Sequence, residues 1–356
     1  MTRRGRSLTL TLGVVLLGLM LVVAFFLPVP YVRLRPGPVF NALGDINGKP
    51  IVSISGAQTF PTDGSLNVTT VYEEGGPGSK LTLLQAFRGW LDPTMAVYPR
   101  DLLYSPSDFA GQDAAKQQQQ QGVVQMQSSE QSAVAAALRY VGKPVHTVIT
   151  VGSTMPDTPA ADTLQPGDQL VAVQGQPIGN VNDVHTAMSK VSPGDTISVR
   201  FIRDGQPQAV DIKTIASPQD AATPFIGVTL SVSYKSPVDV NIVLANVGGP
   251  SAGLMFSLST VDKLTPGALA GGSAVAGTGT IDPAGRVGPI GGIAQKMAGA
   301  KADGAQVFLA PAANCSDVVG RIPAGLQVVR IATLAGAVKA LEQFKAGSDS
   351  LPSCAT

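Results

Sequence analysis

A serine and a lysine stand out by their surroundings. Ser251 lies in Gly248-Gly249-Pro250-Ser251-Ala252-Gly253, just ahead of the apolar run Leu254-Met255-Phe256, which places it at the start of a helix. Lys296 closes Gly288-Pro289-Ile290-Gly291-Gly292-Ile293-Ala294-Gln295-Lys296, in the first turn or two of a second helix. A serine hydroxyl is a poor nucleophile until a base takes its proton, and that base is usually a histidine held by a carboxylate. The chain has only two histidines, His146 and His185, both in the stretch 143–215, where they read as ordinary surface or groove residues. A lysine can serve instead if burial lowers its pKa until the amine is partly neutral near pH 7. The residues flanking Lys296 are small, apolar or amide-bearing, and no carboxylate lies among them to hold its charge. Backbone at Gly249, Pro250 and Ala252 would position the serine or hold an oxyanion at the helix start. On these residues alone, a plain helix start and a solvated lysine compete with this reading.

The elements that must carry the pair come from a chain of 356 residues, long enough for two domains and, at 44% hydrophobic residues, able to give each a core. A net charge of +1 with 14% charged residues offers no basic face for nucleic acid. Leu8 to Leu27 is free of charge and of the length a helix needs to cross a bilayer. The basic flank Arg3, Arg4, Arg6 stays in the cytoplasm by the positive-inside rule, which sends the rest of the chain to the other side. Phe25-Phe26-Leu27-Pro28-Val29-Pro30 lacks a small-x-small cleavage site, so the segment reads as a retained single-pass anchor rather than a signal peptide. Cys315 and Cys354 suit an exported domain, where they either pair or stay as free thiols.

After the anchor, Tyr31 to Pro38 reads as extended, and Ile51–Ile54 and Ser65–Val71 alternate like strands of an antiparallel sheet. Leu81–Leu91 fits an amphipathic helix. Ser105–Gly122, with its glutamine run, is either a loop or a solvated helix, and Ser128–Tyr140 is a helix capped by Ser128 or Ser129. Strands are predicted at Phe225–Val232 and Val238–Ala245, and the tail from Lys345 to Thr356 is expected to be loose apart from any bond at Cys354.

Between Lys143 and Ile215 the pattern Leu164-Gln165-Pro166-Gly167-Asp168-Gln169-Leu170, then Val173, Gly175 and Ile178, resembles a PDZ domain of the bacterial protease type. The resemblance implies a peptide added as a strand beside an exposed edge, in a groove between Thr147–Val151 and the helix Asn182–Lys190. Tyr140-Val141-Gly142-Lys143 carries no G-L-G-F carboxylate loop. The segment Val247–Ala310 resembles the proteolytic domain of Lon proteases: Gly249-Pro250-Ser251-Ala252-Gly253, Thr278-Gly279-Thr280-Ile281, Gly285 to Lys296 and Gln306 to Pro311 keep that family's order and spacing. It implies Ser251 as nucleophile, Lys296 as general base and Thr278 as a supporting hydroxyl. Lys263, Lys301 and Lys339 lack this context and read as surface residues. A fainter likeness at Gly64–Val71, Lys80–Thr82 and Met126–Leu138 makes the PDZ-like block an insertion in the Lon-like fold.

The expected architecture is an α/β (α+β) Lon-type proteolytic domain with an inserted PDZ-like β-rich domain and one N-terminal transmembrane helix. Its parts are an N-terminus and anchor (1–30), the first Lon-like part (31–140), the PDZ-like domain (141–216), the Lon-like part with the dyad (217–345) and a tail (346–356). No G-x-x-x-x-G-K-[ST] occurs, so the expected activity is an ATP-independent serine endopeptidase acting on unfolded or exported polypeptides outside the cytoplasm. No cofactor or metal is implied, and by resemblance the chain forms a homo-oligomer, a hexamer in the parent family. The competing reading is a non-catalytic, membrane-anchored peptide-binding scaffold.

Overall fold

The computed structural model describes residues 3–109, 113–244, 247–348 and 350–354, with side chains from residue 11 onward except at 21. Contacts divide the chain into two units, Met1–Gly142 with Val238–Thr356, and Lys143–Pro237.

The first unit opens with helix α1 (Arg3–Phe25), followed by strands β1 (Pro28–Val29), β2 (Tyr31–Asn41), β3 (Val52–Ser55), β4 (Ser65–Glu74) and β5 (Leu81–Thr82). Helix α2 (Leu83–Leu91) begins at a capping box in which Thr82 and Gln85 each satisfy the other's backbone amide. Strand β6 (Ala96–Pro99) and the long helix α3 (Ala114–Tyr140) complete this part. The glutamine run is thus helical, and Ser128 and Ser129 lie inside α3 rather than at its cap. Among the described residues no helix is long and apolar enough to cross a membrane. The predicted span Leu8–Leu27 falls partly, at 8–10 and 21, on side chains outside the described residues.

The second unit is a sheet of strands β7 (His146–Thr154), β8 (Gln169–Val173), β9 (Thr196–Arg203), β10 (Gln206–Lys213) and β11 (Val228–Lys235) with helix α4 (Val181–Met188). Its order is β10-β9-β8-β7-β11, with Gln176–Pro177 paired to β8 at the side. Ile149, Leu170, Ile197, Val199, Phe201 and Ile212 form its own core. The strand predicted at Phe225–Val232 belongs here as β11, paired along β7, and not to the C-terminal part.

The chain then returns to the first unit with β12 (Asp239–Ile242), α5 (Gly253–Leu264), β13 (Ala274–Gly277), α6 (Ile293–Ala302), β14 (Val307–Pro311), β15 (Gln327–Ile331) and α7 (Leu334–Lys345). Ala245, the predicted end of the β12 strand, lies outside the described residues. The main sheet runs β15-β14-β13-β4-β2-β6. It is mixed rather than antiparallel: β4, β13, β14 and β15 are mutually parallel, while β2 runs antiparallel to β4 and β6. β3 lies outside it, in a two-stranded sheet with β12.

Every residue of β14 is buried, as expected of a parallel strand covered on both faces. Because side chains alternate along a strand, Val275, Val307, Leu309 and Val329 face α5 and α3 in one core. Ala276, Phe308, Ala310 and Val328 face Ile293, Met297 and Ala300 of α6 in the other. The serine helix and the lysine helix therefore lie on opposite faces of one sheet. Cys354 is buried in a disulfide with Cys315, Cα–Cα 5.1 Å, the one tie allowed for in the tail, and Arg330 N–H adds a second by donating to Pro352 O at 2.9 Å.

Candidate active site

Ser251 and Lys296 meet at the C-terminal end of β13. Thr278, the next residue after that strand, joins them: its hydroxyl donates to Ser251 O at 3.0 Å and accepts from Lys296 Nζ at 3.0 Å. Gly279 N–H adds a second bond to Ser251 O at 2.9 Å, which stitches the serine turn to the strand end. Lys296 Nζ lies 2.7 Å from Ser251 Oγ, so the ammonium donates to the serine and the neutral amine would accept its proton along the same line.

Long helix α3 braces this turn from the other side. Ser129 Oγ donates to Pro250 O at 2.9 Å, Gly249 N–H donates to Gly122 O at 3.0 Å, and Ser257 Oγ donates to Ala133 O at 3.0 Å. Two glycines of the motif are fixed by this packing. Gly249 has φ +85°, a left-handed conformation that glycine adopts freely. A Cβ at Gly253 would stand 2.9 Å from Ser129 Oγ and 3.0 Å from Ile281 Cγ2, so no larger residue fits. Ser129 is the supporting residue that sequence reasoning misplaced: as a predicted cap it had no partner, and only the packing of α3 on α5 brings it to Pro250.

The predicted oxyanion and positioning residues divide by chemistry. Gly249 has its N–H engaged by Gly122 and Pro250 has none, so both position the turn. Ala252, immediately before α5, carries an N–H outside the intrahelical ladder.

Lys296 is 2% exposed, and burial pushes its amine down to about 7. Its place in the opening turns of α6 adds the unfavourable end of the helix dipole. The other lysines separate differently from expectation. Lys339 is exposed. Lys301 donates to Gly325 O at 2.9 Å, on α6 but away from the serine. Lys263 is not a surface residue: half-buried, it donates to Val52 O at 2.7 Å, and burial lowers its pKa.

Within the second unit, a cavity of about 630 Å³ runs between α4, through Val184, His185 and Met188, and the segment Phe225-Ile226-Gly227-Val228 leading to Leu230. The helix side of the predicted groove is therefore as expected and the strand side is not. Strand β7 is paired by β11 along its whole length and, on its other side, meets β8 at Thr150 and the turn before it at Val151, so it lies inside the sheet rather than at its edge. The edge strands of the sheet are β10 and β11, and of these β11 borders the cavity through Val228 and Leu230, so an added peptide strand would lie there. The loop before it is Thr223–Gly227, and Phe225-Ile226-Gly227 was the available signal, hidden by assigning that stretch to the other domain.

Residues 239–341 match the family model described as the Lon protease (S16) C-terminal proteolytic domain, and residues 123–214 match that of the PDZ domain. The PDZ match begins inside α3 and stops before β11, whereas the compact unit spans Lys143–Pro237. Among solved structures, the chain is similar to the PDZ domain of an SdrC-like protein from Listeria monocytogenes, 28% identical over 23% of this chain and 85% of that one, TM-score 0.22. It is also similar to the Listeria innocua counterpart, 25% identical over 23% and 92%, TM-score 0.22. A solution structure from Geobacillus thermodenitrificans is 30% identical over 23% and 94%, TM-score 0.22. No curated protein matches the chain. The chain therefore carries a serine-protease domain of the Lon type together with a PDZ domain.

Proposed function

We propose that this protein is a membrane-anchored serine endopeptidase that cleaves unfolded or exported polypeptides without ATP, through a Ser251–Lys296 dyad. The observation that carries the reading is the 2.7 Å contact between a buried amine and Ser251 Oγ. The neutral Lys296 amine takes the Ser251 proton as Oγ attacks the scissile carbonyl, and the resulting oxyanion is held by backbone N–H at Ala252. Collapse of that intermediate breaks the C–N bond, Lys296 returns its proton to the leaving amine, and an acyl-enzyme ester remains on Ser251. Water, deprotonated by the same amine, then hydrolyses the ester. Thr278 orients the amine and holds the Ser251 carbonyl through its one hydroxyl.

The second unit recruits substrate as a strand along β11, in the apolar cavity beside α4. ATP independence rests on the lack of a phosphate-binding G-x-x-x-x-G-K-[ST] loop in this sequence. The location outside the cytoplasm, with the N-terminus inside, rests on the basic residues before an uncharged apolar run. The Cys315–Cys354 disulfide agrees with an oxidising compartment. A homo-oligomeric ring, hexameric by resemblance, is part of the same reading.

The test is turnover of an unfolded protein by the detergent-solubilised full chain beside Ser251→Ala and Lys296→Ala. Each variant is expected to lose about 10³-fold or more in kcat/KM, with peptide binding to the second unit retained. Equal turnover in all three would contradict the assignment.

A further inference from the structure

Helix α2 is amphipathic in an inverted sense. It packs inward through its small residues, Ala86 and Gly89, and turns the large apolar residues of its second half, Phe87, Trp90 and Leu91, out to solvent. Phe87 is 47% exposed, Trp90 52% and Leu91 69%. Residues at i, i+3 and i+4 share one helix face, so the three form a single stripe. Arg88 is exposed beside it. A contiguous apolar face of this kind marks an interaction surface.

Its position in the fold selects the occupant. Strand β1, the first element after α1, pairs antiparallel with β5, the two residues that lead into α2. Leu83 N–H donates to Leu27 O at 3.0 Å, and α1 and α2 are in contact. The stripe therefore sits where the chain leaves the apolar helix. Phe26 is exposed at that exit, and so is Leu102, whose turn is tied there by Arg100 N–H donating to Pro30 O at 3.1 Å. Aromatic residues with a neighbouring arginine suit the boundary between headgroups and acyl chains, where rings bury and the guanidinium reaches lipid phosphate.

We infer that α2 is a second membrane contact: an interfacial helix whose Phe87, Trp90 and Leu91 enter the outer face of the bilayer in which α1 is anchored. This inference rests on the anchor in the proposed function. The bilayer contact would fix the orientation of the first unit against the membrane through two points instead of one.

Trp90 is the chain's one tryptophan, so its emission reports on α2 alone. The full chain is reconstituted into phosphatidylcholine vesicles, with and without bromine near the top of the acyl chains, and floated on a density gradient. The expected result is a protein that floats, with blue-shifted Trp90 emission that resists aqueous iodide and loses most of its intensity in brominated vesicles. Replacing Phe87→Ser and Leu91→Ser together should restore quenching by iodide while flotation persists. A protein that floats but has Trp90 open to iodide and indifferent to bromine overturns the α2 contact and leaves the anchor standing. Resistance to both quenchers shows a protein partner or a second copy over the stripe, and also overturns it. Failure to float overturns the anchor and this contact together.

Discussion

If Lys296 is the base, the pH dependence of turnover should carry its signature. A lysine in water has a pKa of 10.5, and burial of Lys296 takes this to about 7. By the Henderson–Hasselbalch relation, about half of the amine is then neutral at pH 7, against about 3 in 10,000 for an unperturbed lysine. Burial thus raises the supply of competent base about 10³-fold at neutral pH, equivalent to about 4 kcal/mol at 1.36 kcal/mol per tenfold. Profiles of kcat/KM report the free enzyme, so the perturbation to apply is pH itself, with an unfolded protein substrate whose own charge is controlled by a second, uncharged peptide. The rate should fall about tenfold per unit below pH 7 and level off above it. A profile that keeps climbing to pH 10 would mean an ordinary, solvated lysine. A flat profile from pH 5 to 9 would mean that no group with this pKa governs the reaction.

Burial of the base should also cost stability, in a defined pH window. The folded pKa lies below the unfolded one, so between about 7 and 10.5 the unfolded chain binds more protons, and stability rises with pH across that window; below it the full penalty applies. Lys296→Met should therefore raise the melting temperature at pH 6 more than at pH 10 while abolishing turnover, as calorimetry at the two pH values would show. Thr278→Val removes the acceptor for Lys296 Nζ and one donor to Ser251 O, and should lower kcat/KM about tenfold to hundredfold, with Thr278→Ser restoring most of it. Cys315 and Cys354 are 39 residues apart, so in the chain-entropy model Cys315→Ser with Cys354→Ser should cost about 4 kcal/mol in denaturant unfolding. The dyad itself should stay intact, since neither cysteine touches it.

The meeting of Ser251 and Lys296 was legible only through the resemblance to Lon proteases, since the small residues around each leave a plain helix start and a solvated lysine equally open. Thr278 likewise was legible only through that family's order and spacing; the short strand Ala274–Gly277 that delivers it was not predicted. Ser129 was not: a serine in a helix looks alike whether it caps, faces solvent or reaches a carbonyl that lies 121 residues further along the chain. The glutamine run was ambiguous because α3 is polar along its first half and acquires an apolar face only from Met126 onward. The peptide groove was misplaced for a topological reason. Local alternation marks His146–Thr154 and Val228–Lys235 alike as strands, but it does not say which is an edge, and that depends on pairings across more than seventy residues. The mixed sheet was missed likewise, because Ser65–Glu74 reads as alternating while both its faces are covered at Leu66–Thr69.

The claim at the centre is that the Lys296 amine activates the Ser251 hydroxyl for acyl transfer. The most direct measurement is to mix the protein with an activated peptidyl ester at pH 8, quench in acid and map the acyl group by peptide mass spectrometry. The account predicts one acyl mass on the peptide containing Ser251, formed in the parent protein and absent in Lys296→Met. Acylation of Ser251 at the same rate in Lys296→Met, or acyl mass only at another residue, would contradict it.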